Sequence, residues 1–136
     1  MKKIILIVIM LTFSTCITAQ IAVIANKSIK ISSIDKTTLK NLYELNSNQL
    51  AGEKVKLFDI TGDDNVISSF YSYINNSVSE IKKKWMKAKL TGNGNPPEFV
   101  NSYEEMVSKV ASTKGGIGYV KQSLVKEDVK VLLIIK

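Results

Sequence analysis

Apolar residues follow two rhythms along this chain. Short, largely β-branched runs at Gln20–Ala25, Val55–Ile60, Ile117–Val120 and Val129–Ile135 are too brief for helices and predict four strands. Between them the spacing changes to three and four residues. Leu39, Leu42 and Tyr43 share one helical face after Asp35, a predicted N-cap. Val66, Ile67, Phe70, Tyr71 and Ile74 predict a second helix, capped by Asp64 and ended by Asn75-Asn76. Ser77-Val-Ser-Glu80 and Ser102-Tyr-Glu-Glu105 are capping boxes that open two more. The first of these buries Val78, Ile81, Trp85 and Ala88. The second turns Tyr103, Met106, Val107, Val110 and Ala111 inward and ends on Lys114-Gly115-Gly116, a cation followed by a glycine C-cap. Asn46–Glu53 reads as a loop with Gly52 in its turn, and Thr91-Gly-Asn-Gly-Asn-Pro-Pro97 as a second, stiffer one.

Strands separated by helices predict an α/β three-layer sandwich, a mostly parallel sheet with helices on both faces. Ligands on such sheets gather beyond the carboxyl ends of the strands. The turns at Asn26–Ser33 and Thr61–Asn65, with the Gly92–Pro97 loop, are expected to share that edge. The segment Asp59–Phe70 carries the clearest chemistry, because a strand there hands over through a polar turn to a helix. Free N–H groups and the positive end of a helix dipole then face one spot, a seat for a small anion. Tyr43, Phe70, Trp85 and Tyr119 lie on inward stripes or in strands and are expected to pack the core.

Residues 1–19 read as an export leader: Lys2 and Lys3, an apolar run from Ile4 to Leu11, small and polar residues, then Ala19. The run is shorter than the roughly 20 residues of a membrane span. Cys16 suggests acylation as a lipoprotein, but Phe13 and Thr15 suit that signal poorly, so cleavage after Ala19 is the expectation. Residues 20–136 then form one domain without cysteine, periplasmic or secreted.

The basic residues narrow the chemistry further. The formal net charge is +7, there is no histidine, and every basic residue is lysine. Ser–His and Cys–His pairs and ordinary transition-metal sites are therefore excluded, as is bidentate capture of an oxyanion by arginine. Asp59, Asp63 and Asp64 lack the alternating acidic spacing of a calcium loop, so neither an enzyme nor a metal site is expected. No cofactor is implied. The lysines are scattered along solvent-facing positions, which argues against nucleic acid as a partner.

Four landmarks in order resemble the phosphate-type substrate-binding proteins of ABC transporters. They are Leu39, Leu42 and Tyr43 after a Ser-rich turn, Asp59 before Phe70, Trp85 before Thr91–Pro97, and Gly116-Ile-Gly-Tyr-Val120. The similarity spans about Ile21 to Leu133 and is nearest to the short, single-lobe members of that type II periplasmic-binding-protein superfamily. It implies an extracytoplasmic lobe that binds phosphate or a related oxyanion for ABC-type transport. Carried over, the ligand-binding positions are Asn26, Lys27 and Ser28 after the first strand, and Thr61, Gly62, Asp63, Asp64 and Asn65 after the second. The chain departs from the family where Asp64 and Ile67 replace a Ser and an Arg. Like charges 4 Å apart at an effective dielectric of 20 cost on the order of 4 kcal/mol, against about 1.5–3 kcal/mol from one charge-assisted hydrogen bond. The alternative is thus an envelope interaction module that kept the fold and lost its ligand, with an envelope protein, an ABC transporter or a second copy as partner.

Overall fold

The computed structural model describes residues 20–136; the expected leader, with Cys16, lies outside the described residues. The strands are β1 (Ile21–Ala25), β2 (Gln49–Leu50), β3 (Glu53–Lys54), β4 (Lys56–Ile60), β5 (Glu98–Val100), β6 (Gly116–Lys121) and β7 (Lys130–Ile135). The helices are α1 (Lys36–Tyr43), α2 (Asp64–Tyr73), α3 (Val78–Thr91) and α4 (Tyr103–Ser112). Asp35, Ser77 and Ser102 cap α1, α3 and α4 as expected, each accepting from the N–H three residues on. Glu105 reaches back to the N–H of Asn101, one residue before the cap.

Five strands form the central sheet in the order β5-β4-β6-β1-β7. β4 is parallel to β5 and β6, while β1 is antiparallel to both β6 and β7. Four strands therefore point one way and β1 alone is reversed. Side-chain alternation sorts the helices onto the two faces. Gly118 of β6 lies against Met106 and Val110 of α4. The next residue, Tyr119, points to the other face and stacks on Phe70 of α2, with ring centroids 3.8 Å apart and planes 6° apart. Tyr43 from α1 joins that aromatic cluster edge-on, and the Trp85 indole of α3 donates to the Tyr43 carbonyl at 2.6 Å. Tyr43, Phe70, Trp85 and Tyr119 are all buried, as their spacing predicts.

Three local expectations change. Residues 46–53 are not loop throughout: β2 and β3 pair as a tight hairpin around Ala51-Gly52, both with positive φ. β5 is a strand the sequence did not announce, since Glu98-Phe-Val100 is only three residues long and follows two prolines. α4 ends at Ser112 with Thr113 as its C-cap, and Gly116 already belongs to β6. Gly115 supplies the positive φ of 73° needed to enter that strand, and its α-carbon lies so close to the Lys54 carbonyl that a Cβ would collide with backbone.

Candidate functional site

The two turns proposed to share an edge lie at opposite ends of the sheet. The reversal of β1 is the reason. Asn26 follows β1 and its N–H bonds the Gly116 carbonyl at 2.8 Å, and Gly116 stands opposite Lys56 at the start of β4. Thr61 follows the other end of β4. The five residues of β4 hold the two turns about 16 Å apart at roughly 3.3 Å per residue. The Gly92–Pro97 loop leads into the amino end of β5 and sits with the Asn26 end.

Asn26 and Ser28 have structural work at their end. The Asn26 amide donates to the Val110 and Ala111 carbonyls, both at 2.9 Å, and so closes the C-terminus of α4. Its oxygen accepts the Ser28 N–H at 2.8 Å, and the Ser28 hydroxyl accepts the Gly115 N–H at 3.0 Å. Lys27 between them is exposed.

Thr61, Gly62, Asp63, Asp64 and Asn65 do come together at the carboxyl end of β4. Gly62, with φ 91°, turns the chain one residue earlier than expected. Asp63, not Asp64, is therefore the cap, accepting the Val66 N–H at 3.3 Å, and Asp64 becomes the first helical residue. Among the described residues, the N–H groups of Gly62 to Asn65 find no acceptor within the protein. Thr61 donates its hydroxyl toward the Asn101 side chain at 3.0 Å and the Val100 carbonyl at 3.3 Å.

α4 begins at the same edge, and this the sequence reading missed. The Tyr103 hydroxyl donates to Asp63 at 2.6 Å, and Lys121, at the end of β6, stands 3.6 Å from the same carboxylate oxygen and 5.8 Å from the Tyr103 ring centre. The hydrogen bond from Tyr103 holds the Asp63 carboxyl below its ordinary range despite some burial, with the Val66 N–H and Lys121 adding to it. Burial, with the neighbouring Asp63 carboxylate, pushes the Tyr103 hydroxyl well above its ordinary range. Two helix N-termini, a hydroxyl and a lysine thus meet around one carboxylate. The capping box before α4 was the available signal, because it places Tyr103 at a helix start.

Beside the turn, a cavity of about 370 Å³ lies between α2 and α3, walled by Ile67, Ile81, Trp85 and Phe99. Asp59 closes its inner end, only 2% exposed. Its carboxyl accepts from the Tyr71 hydroxyl at 2.8 Å, the Tyr119 hydroxyl and the Ile60 N–H. Burial pushes Asp59 above the ordinary carboxyl range; the two tyrosines, the Ile60 N–H and the field of Lys82 oppose that shift. Among the described residues no group of three or more His, Cys, Asp and Glu side chains could hold a metal ion.

No family model and no curated protein matches the chain. Solved structures do. An ABC-type phosphate transport receptor from Vibrio cholerae superposes with a TM-score of 0.65 at 16% identity, over 84% of this chain and 46% of that one. A protein assigned as a phosphate ABC transporter substrate-binding protein from Clostridium perfringens, solved with bound phosphate, gives 0.68 at 14% identity over 84% and 45%. PstS from Borrelia burgdorferi gives 0.60 at 18% identity over 84% and 47%. The chain spans just under half the length of each. At this level of identity the likeness concerns architecture alone: the fold matches a single lobe of these proteins.

Proposed function

We propose that this chain is an exported solute-binding module that recognises a small, protonated oxyanion such as phosphate at the carboxyl edge of β4. One observation carries the reading: Tyr103 and Asp63 join the N-termini of α4 and α2 around unengaged N–H groups. The reading gains weight because one neighbour of this fold was solved with phosphate. The chemistry selects the ligand. Donors come from the N–H groups of Gly62–Asn65 and from Lys121, while Asp63 is an acceptor that a proton-free anion cannot satisfy. An oxyanion carrying a proton can donate it to Asp63, which favours phosphate over sulfate. One lobe supplies one wall of a cleft, so the second wall would come from another lobe or chain, consistent with service to an ABC transporter. The leader pattern at residues 1–19 supports a periplasmic or secreted location.

A specific observation favours a second reading. Asp63 already sits at the N-terminus of α2 as a built-in anion, held by Tyr103 and Lys121. An interaction module that dispensed with a ligand would look the same. Calorimetric titration with phosphate and with sulfate separates the two. Heat with phosphate and little with sulfate supports solute binding, whereas silence with both at millimolar concentration supports the interaction module.

A further inference from the structure

The opposite end of the sheet carries a cavity of different chemistry. It encloses about 410 Å³ between the turn after α1, the start of β4 and the loop from α3 to β5. Its polar wall is made by Asn46, Asn48, Asn93, Asn95, Lys54 and Lys56, and not one lining residue is acidic or aromatic. The carboxyl edge of β4, by contrast, presents Asp63 and Asp64. Among the described residues the side-chain amides of Asn48, Asn93 and Asn95 make no hydrogen bond, and none is a buried unsatisfied group, so their donors and acceptors face open space. Lys54 is likewise without an ion pair among the described residues, and Lys56 makes one loose contact, with Glu98 at 4.0 Å. Lys27 and Lys114 belong to turns on the same edge, since Gly115 abuts the Lys54 carbonyl and Asn26 bonds Gly116. They add to a positive field there.

The walls are preformed. Leu45 holds a φ of 62°, a strained conformation for a bulky residue. Gly94 packs on it, and a Cβ there would lie in ordinary van der Waals contact, 3.4 Å from the Leu45 Cβ. Gly92 closes α3 in the left-handed conformation, and Pro96-Pro97 stiffen the exit of the loop. The Val55 N–H fixes the Asn48 carbonyl at 2.9 Å.

We infer that this cleft is a second binding site, for a small polyhydroxylated anion of the sugar-phosphate or sugar-acid class. The volume lies in the usual range of roughly 300–1,000 Å³ for small-molecule sites and exceeds what a bare oxyanion fills. Two exposed lysines in a lining that contains no carboxylate select a negative group. The free primary amides of Asn48, Asn93 and Asn95, each with donors and an acceptor to offer, match vicinal hydroxyls, while the Asn46 amide already donates to Glu44 at 3.1 Å. The lack of an aromatic wall disfavours nucleobases and other flat ligands.

The test is amide-resolved NMR titration of the purified chain with glucose 6-phosphate, gluconate, glucose and inorganic phosphate. The inference expects glucose 6-phosphate or gluconate to move the resonances of Lys54, Asn93 and Asn95. It expects glucose and inorganic phosphate to bind there at least tenfold more weakly. Lys54→Gln with Lys56→Gln should lower the affinity tenfold or more while the remaining spectrum stays native, because both lysines are exposed. Absence of shifts at this cleft with both sugar anions, equal binding of inorganic phosphate or of glucose, or unchanged affinity in the double variant would each overturn it. The readout is separate from Thr61–Asn65, so failure of oxyanion binding at that turn leaves this result interpretable.

Discussion

Tyr103 donates its hydroxyl to Asp63 across 2.6 Å, and this bond ties the first residue of α4 to the cap of α2. The two residues are forty positions apart in the chain. Tyr103→Phe removes the donor and leaves the rest of the ring in place. A loss of about 1 kcal/mol is expected by urea denaturation, the usual net worth of one such bond. Asp63 is depressed in the folded state, so its contribution is full above the unfolded carboxyl range and fades as pH falls through its folded value. The variant should therefore lose less stability on acidification than the parent.

Glu44 is the clearest acid-sensitive group. Burial raises its pKa, but hydrogen bonds from Lys40 and Lys84 at 2.6 Å and from Asn76 at 2.9 Å outweigh that and hold it at about 2. These contacts knit α1, the end of α2 and α3. Because the folded value is depressed, the stability is present above pH 4.5 and is lost as pH falls toward 2. Glu44→Gln should cost on the order of 2 kcal/mol at neutral pH and flatten that acid limb, as measured by denaturant midpoints along a pH series.

Asp59 slopes the other way. Its folded value is raised, so its contribution to stability is full at low pH and diminishes as pH rises through that value. Asp59→Leu leaves the Tyr71 and Tyr119 hydroxyls without an acceptor and should cost about 2–4 kcal/mol by thermal or urea unfolding. Replacing both tyrosines by Phe in that background should recover much of the loss. A triple variant as unstable as Asp59→Leu alone would contradict this network.

Two glycines in and before β6 should respond unequally to alanine. At Gly118 the new methyl meets the flexible Met106 side chain, so a cost of roughly 1–2 kcal/mol is expected. At Gly115 it meets the Lys54 carbonyl at a positive φ, and neither can yield cheaply. That variant should cost at least about 3 kcal/mol or fail to accumulate as folded protein. Equal costs would show that β6 is not held against the hairpin as described.

The layers were legible in the sequence because periodicity reports burial. Leu39, Leu42, Phe70, Ile81, Trp85, Met106 and Val110 all lie in the core their spacing predicts. The direction of β1 was not legible. A buried run such as Ile-Ala-Val-Ile-Ala pairs equally well either way, so nothing local forbade placing Asn26–Ser28 beside Thr61–Asn65. The cap slipped from Asp64 to Asp63 because two adjacent aspartates satisfy the same rule and the φ of Gly62 decides between them. Tyr103 was read as core by helical spacing alone, yet the first turn of a helix faces whatever its N-terminus meets. Lys121 carried no signal apart from its place after Gly-Tyr-Val.

The oxyanion reading stands most directly on titrating phosphate and sulfate into the purified chain and its Asp63→Asn variant, with binding followed at the amides of Gly62 to Asn65. The account predicts phosphate-dependent shifts confined to that turn, weaker binding as pH rises and the phosphate monoanion gives way to the dianion that Asp63 repels more, and a gain of about tenfold for sulfate when Asp63 loses its charge. Silent amides at millimolar phosphate, or a sulfate response that ignores Asp63, would contradict it.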